Sequence, residues 1–247
     1  MSYSTTDPTW KALRPFPIDP AHLEANRVIA ATRDDPAYAA FDVLRTRILH
    51  PMRENGWRRV AITSPSPDCG KTFTAANLAI ALSHYDALRI ALMDMDMRKS
   101  SLHHVFGVRD PGSMGDYLRG LVPTEVHFRA PARNRLHIGQ NLAVAFNGKR
   151  EDFASELMQD PLTEEVLEQM EEDLAPDIVL FDMPPVLTND DVIAFAPQYD
   201  AVLVVAAGGQ TRASELKQVS RHLGEDKPLL GVVLNKAEGS TLNYSYY

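Results

Sequence analysis

Ten residues, Ser64-Pro65-Ser66-Pro67-Asp68-Cys69-Gly70-Lys71-Thr72-Phe73, constrain this chain more than any other stretch. An apolar run, Val60-Ala61-Ile62, precedes them, and a helical pattern from Thr74 to Leu82 follows. A Gly-Lys-Thr ending between a strand and a helix marks a loop that wraps phosphate groups. Backbone N–H groups at a helix start point at an anion, and the helix dipole favours negative charge there. On this reading Lys71 reaches the outer phosphates and the Thr72 hydroxyl binds Mg²⁺. Pro65 stands where the usual loop has its first glycine. Proline donates no N–H, so the cradle is expected from Asp68, Cys69, Gly70, Lys71 and Thr72, with Phe73 beside them.

A Gly-Lys-Thr tripeptide also occurs at ordinary helix starts, and two acidic motifs argue against that reading. In Ile90-Ala91-Leu92-Met93-Asp94-Met95-Asp96-Met97-Arg98 an apolar run reads as a buried parallel strand. Residues two apart on an extended chain share a face, so Asp94 and Asp96 are expected together at the strand's carboxyl end, where open α/β sheets bind ligands. Ile178-Val179-Leu180-Phe181-Asp182 is a second such strand, stopped by Met183-Pro184-Pro185. Carboxylates beside a phosphate loop suit Mg²⁺, a hard cation that binds few carboxylates and keeps several waters.

These motifs span residues 64–185 of 247 and must converge, which favours one large α/β domain. The formal net charge of −8 and the lack of a dense basic stripe argue against a duplex-DNA binder, so no nucleic-acid partner is expected. Cys69 is the only cysteine, which excludes an intrachain disulfide framework and suits a reducing cytoplasm. No apolar stretch reaches the ~18 residues of a membrane span, and residues 1–7 do not read as a signal peptide. Any membrane role is therefore expected through a partner.

Three segments are expected: an extended arm over 1–35, rich in proline and poor in periodicity; a nucleotide-binding domain over 36–239; and a tail over 240–247. A helix is predicted from Ala37 to Leu49, with Phe41, Leu44 and Ile48 on one face and Pro51 and Gly56 ending it. Strands are predicted near 59–64, 88–93, 135–138, 178–182, 201–206 and 230–235, and helices near 71–85, 99–106, 114–119, 152–174, 189–196 and 212–223. That alternation implies a doubly wound, mostly parallel sheet with helices on both faces. Asn235, ending the last strand, reads either as a base-contacting side chain or as a polar strand terminator. His103-His104 reads as a helix-surface pair. The tail holds Tyr244, Tyr246 and Tyr247.

Taken jointly, the loop, Asp94-Met95-Asp96-Met97-Arg98, Asp182-Met183-Pro184-Pro185, the strand from Gly231 to Lys236 and the terminal tyrosines resemble the bacterial tyrosine kinases of capsule and exopolysaccharide synthesis, of the CpsD/CapB type and the Wzc cytoplasmic domain. The likeness covers roughly residues 37–247. Positioning ATPases of the MinD/ParA type share most of these motifs but carry an extra lysine near the loop's start, where this chain has Ser66. The resemblance implies a P-loop fold binding ATP and Mg²⁺. It makes Lys71, Asp94 and Asp96 catalytic, with Asp94 as base for a tyrosine hydroxyl. It assigns the metal to Thr72, Asp96 and Asp182, and autophosphorylation to Tyr244, Tyr246 and Tyr247. It also implies cytoplasmic placement, with recruitment to the inner face of the membrane by the cytoplasmic segment of a chain-length regulator. Such kinases often assemble rings through a Glu-x-x-Arg-x-x-Arg helix. Here those positions are Ala39, Asp42 and Arg45, which puts a homo-oligomeric ring in question. An ATP-binding scaffold without kinase activity and a MinD/ParA-like ATPase are the competing readings.

Overall fold

Short apolar runs separated by amphipathic stretches build one eight-stranded sheet in the computed structural model, which describes residues 8–28, 37–136, 138–224 and 227–237. The strands are β1 (Arg14–Phe16), β2 (Arg59–Thr63), β3 (Ile90–Asp94), β4 (Phe128–Pro131), β5 (Leu142–Ala145), β6 (Ile178–Asp182), β7 (Ala201–Ala207) and β8 (Leu229–Asn235). Their order is β1-β4-β5-β3-β6-β2-β7-β8. Neighbours are parallel except β4 and β5, which run antiparallel.

Eleven helices connect the strands among the described residues: α1 (Pro8–Ala12), α2 (Pro20–Ala25), α3 (Tyr38–Asn55), α4 (Lys71–Ser83), α5 (Leu102–Phe106), α6 (Met114–Leu118), α7 (Thr124–His127), α8 (Ala154–Met158), α9 (Pro161–Leu174), α10 (Asp191–Ala194) and α11 (Ala213–Leu223). Strand side chains alternate between two cores, as a period of two requires. Val60, Ile62, Ile90, Leu92 and Leu180 face α3 and α4. Ala61, Ala91, Met93, Val179 and Phe181 face α6, α8 and α9. Both faces are thus covered, and the central strands are apolar throughout for that reason.

The segment expected as an extended arm is folded between Pro8 and Val28. Leu13, Phe16, Leu23 and Val28 are buried, and β1 adds a parallel edge strand to β4. Phe16 packs edge-on against Phe106 and Phe146, with ring centroids 5.5 and 5.3 Å away. The prolines are compatible with this order. Pro15 and Pro17 lie in or beside an edge strand, where a missing N–H is tolerated, and Pro20 opens α2 behind the Asp19 cap.

Three other expectations change. No strand forms among the described residues of 135–138; the sheet instead takes β4 and β5 on either side of them. Helix α3 does not stop at Pro51 but runs to Asn55, where Gly56 caps it in the left-handed region at φ 70°. Burial of Ile48, Leu49 and Met52 on one face holds the helix together across the proline, which alone costs about 3 kcal/mol. The long helix over 152–174 is broken in two, because Asp160 accepts a hydrogen bond from Leu162 N (2.9 Å) and caps α9.

Candidate active site

Strands β3, β6 and β2 are neighbours in mid-sheet, so the segments that follow them meet at one carboxyl edge. The loop after β2 leads directly into α4, whose N-terminus carries no side-chain cap. The first N–H groups of a helix have no intrahelical acceptor, so this end is free to meet an anion. Gly70 takes φ 93°, and a Cβ there would stand 2.1 Å from Asn235 Nδ2. Only glycine fits, because Asn235 crosses above it and donates to the Cys69 carbonyl at 2.9 Å. Lys236 Nζ donates to the Asp68 carbonyl at 2.6 Å, and Asp68 itself is left-handed at φ 63°. The end of β8 therefore holds the loop in shape.

Lys71 Nζ lies 2.7 Å from Asp96 Oδ2 and 3.7 Å from Asp182 Oδ1. Burial opposes the charge on Lys71, but Asp182, Asp96 and Asp94 together outweigh it and raise its pKa. Asp94 and Asp182 are register partners across β3 and β6, and both are fully buried. Asp94 Oδ2 accepts from Leu102 N at 3.1 Å, whereas Asp94 Oδ1 and both oxygens of Asp182 receive no hydrogen bond. Burial and then the charge of Asp182 push the Asp94 carboxyl well above the ordinary carboxylate range. Burial also raises Asp182, against the pull of Lys71.

A cavity of about 420 Å³ opens here, lined among others by Lys71, Thr72, Asp96, Arg98 and Ser101. Among the described residues no three His, Cys, Asp or Glu side chains enclose a metal by themselves. The fit to Mg²⁺ is of another kind: the Asp182 carboxylate, whose oxygens accept no hydrogen bond and lie near the Lys71 charge, beside a hydroxyl on Thr72, with remaining positions open to phosphate and water. Asp96 is less free, since its oxygens already meet Lys71 and the Lys99 N–H (2.9 Å). A second cavity of about 890 Å³ lies on the other side of Gly70, lined by Arg27, Phe41, Phe73, Asn235 and Lys236 among others.

Lys71, Thr72, Asp94, Asp96 and Asp182 thus come together, and Asp68, Gly70 and Phe73 line the cavities beside them. Cys69 contributes backbone only: its thiol is buried, 3.6 Å from Thr211 Oγ1. Asn235 is engaged in holding the loop. Tyr244, Tyr246 and Tyr247 lie outside the described residues. Arg45 donates to the Ala81 carbonyl and pairs with Asp42, both at 2.9 Å. Four participants were not singled out from sequence. Ser101 Oγ lies 3.0 Å from Thr72 Oγ1, the Leu102 N–H meets Asp94, Lys236 holds the loop, and Asp191 receives Arg98 through both carboxylate oxygens at 2.8 and 2.9 Å. The Asn235-Lys236 pair ending an apolar run was the one visible signal among these.

A doubly wound parallel sheet with a Gly-Lys-Thr loop after a central strand defines a P-loop nucleotide-binding protein. The chain belongs to the CobQ/CobB/MinD/ParA nucleotide binding domain family, whose model matches residues 60–246. A Ralstonia solanacearum protein named EpsB is 32% identical over 217 residues, covering 86% of this chain and 27% of its own length. This chain therefore spans about a quarter of that relative. The tyrosine-protein kinase YwqD of Bacillus subtilis is 28% identical over 209 residues, with 84% of each chain covered. The solved kinase domain of the Escherichia coli tyrosine kinase ETK superposes with a TM-score of 0.75 at 25% identity, covering 89% of this chain and 84% of that one. No helix among the described residues is long and apolar enough to cross a membrane.

Proposed function

We propose that this chain is an ATP-dependent protein-tyrosine autokinase of capsule or exopolysaccharide export. One observation carries the reading: an ammonium, a hydroxyl and three carboxylates gather beside an uncapped helix start. The kinase names of the relatives support the reaction class. Lys71 would hold the outer phosphates, and the amides of Asp68 to Thr72 would cradle the rest. Phe73 and Asn235 border the larger cavity, where the base would lie. Thr72 and Asp182 would hold Mg²⁺, with Asp96 orienting Lys71. Mg²⁺, when bound, supplies charge that favours ionised carboxylates and neutralises phosphate oxygens.

Asp94 is the base. Its raised pKa makes it a stronger acceptor than an ordinary carboxylate, which helps with a tyrosine hydroxyl of pKa near 10. Phosphoryl transfer depends chiefly on alignment and charge neutralisation, so a modest base suffices. The acceptors are Tyr244, Tyr246 and Tyr247, and the partner is the cytoplasmic segment of a membrane chain-length regulator that brings the chain to the membrane face.

Mass spectrometry of the tail after incubation with Mg·ATP and the partner segment tests this. Phosphotyrosine should appear and should vanish in Lys71→Met. A second reading, an ATP-binding scaffold, draws on the ring-forming helix, where Asp42 replaces arginine and Arg45 is occupied within its own chain. Nucleotide binding with an unmodified tail would select it.

A further inference from the structure

The opposite end of the same sheet edge holds a third cavity, of about 890 Å³, formed by β1, β4, α5 and the loop after α5. Its polar lining includes Arg14, Arg109, Arg129, His22, His103 and His104. Arg14 and Arg129 are register partners on adjacent strands. Like charges at facing positions of a ladder repel, and an anion between them relieves that repulsion. Among the described residues the counter-charge is slight. Asp110 stands 3.8 Å from each arginine and is 81% exposed. The other acid in the lining, Asp19, is committed to capping α2. Arg129 is nine-tenths buried, donates through Nη2 to the Asp110 carbonyl, and keeps a buried Nε with no acceptor. Burial and then the Arg14 charge lower its pKa, and Asp110 only partly opposes them.

We infer that this cavity is a binding site for a phosphate group, free or carried by a small molecule, gripped between Arg14 and Arg129. Guanidinium forks match phosphate oxygens through paired, charge-assisted hydrogen bonds. The rings of His103 and His104 border the cavity, and His22 Nε2 is held against the His104 carbonyl at 2.7 Å. The volume falls within the roughly 300–1,000 Å³ of small-molecule sites, and Phe16 and Phe106 wall it. The site is separate from the phosphate loop but not isolated from it. Helix α5, which carries His103 and His104, follows Ser101, the residue bonded to Thr72, and begins at Leu102, the residue bonded to Asp94.

The test is a titration of the whole chain with inorganic phosphate at constant pH, followed by NMR of the ring resonances of His22, His103 and His104. Sodium chloride at matched ionic strength is the control. Saturable shifts of these rings are expected, weakened about tenfold or more in Arg14→Ala/Arg109→Ala and retained in Lys71→Met, which reports only on the phosphate loop. Both substituted arginines are exposed, so the variant should fold. Glucose 6-phosphate in a parallel arm separates the sources: tighter binding than inorganic phosphate identifies a phosphorylated metabolite, equal binding identifies the free ion. Shifts that chloride reproduces, or an unchanged curve in the double arginine variant, overturn the proposal. Neither outcome bears on kinase activity.

Discussion

Replacing Asp94 with asparagine should stabilise this protein and, on the proposed function, end phosphoryl transfer. Asp94 is fully buried, faces Asp182 across the ladder, and leaves Oδ1 without a donor. Burial and the Asp182 charge raise its pKa, and Lys71 and the Leu102 N–H do not offset them. A carboxyl raised in this way contributes its full stability below the unfolded value, near 3.9. That contribution is lost as pH climbs through the folded-state pKa, at about 1.4 kcal/mol for each unit of difference. Asparagine has the same shape. Its carbonyl can keep accepting from Leu102 N, and its amide can donate toward the Asp182 carboxylate. The expected gain is about 1–2 kcal/mol at neutral pH, of the order seen when a strained functional site is relieved. It should shrink toward zero near pH ~4, where the unfolded carboxyl also holds its proton. Urea unfolding followed by circular dichroism at acid and neutral pH measures both. A variant no more stable than the parent at neutral pH, or one with an equal gain at pH ~4, would refute the argument.

Three further outcomes are expected. His127 stacks on Tyr117 at 4.6 Å, and burial followed by the Arg129 charge lowers its pKa to about 4; stability is therefore complete above the unfolded value near 6.5 and falls by about 3 kcal/mol as pH drops toward 4. His127→Phe should flatten that limb of a stability–pH curve, and an unchanged slope contradicts it. Gly70→Ala forces a Cβ against Asn235 at a φ of 93°, so a loss of about 1–3 kcal/mol and weaker nucleotide binding should be visible by thermal unfolding and calorimetry. Arg98→Met strands the Asp191 carboxylate, which is 1% exposed, at a cost of about 3–5 kcal/mol; adding Asp191→Asn should recover most of it in a double-mutant cycle, and additive losses would count against the pair.

The strands that build the candidate site were legible because each is a continuous apolar run that ends at a polar or charged residue. Val60 to Ile62, Ile90 to Met93 and Ile178 to Phe181 are buried on both faces, and a chain buried in this way has no polar alternation to obscure it. The edge was not legible. Arg14-Pro15-Phe16 and Phe128-Arg129-Ala130-Pro131 are short and contain proline and arginine; β1 becomes a strand by pairing with β4 across more than a hundred residues, and β4 also leans on β5. No local propensity encodes such a pairing. The helix break at Asp160-Pro161 was encoded as an N-cap followed by proline. The continuation past Pro51 was not, because it depends on what Ile48, Leu49 and Met52 pack against. In the candidate site, Lys71, Thr72, Asp94 and Asp182 followed from motif and strand position. Ser101 and Asp191 did not, since their partners Thr72 and Arg98 reach them only through the folded chain.

Asn235 and Lys236 clasp the Cys69 and Asp68 carbonyls, and the chain runs on from there toward its tyrosines. Two successive carbonyls of the loop are thus pinned from one strand end, so a shift of β8 along β7 would reach the Gly-Lys-Thr turn without crossing the rest of the sheet.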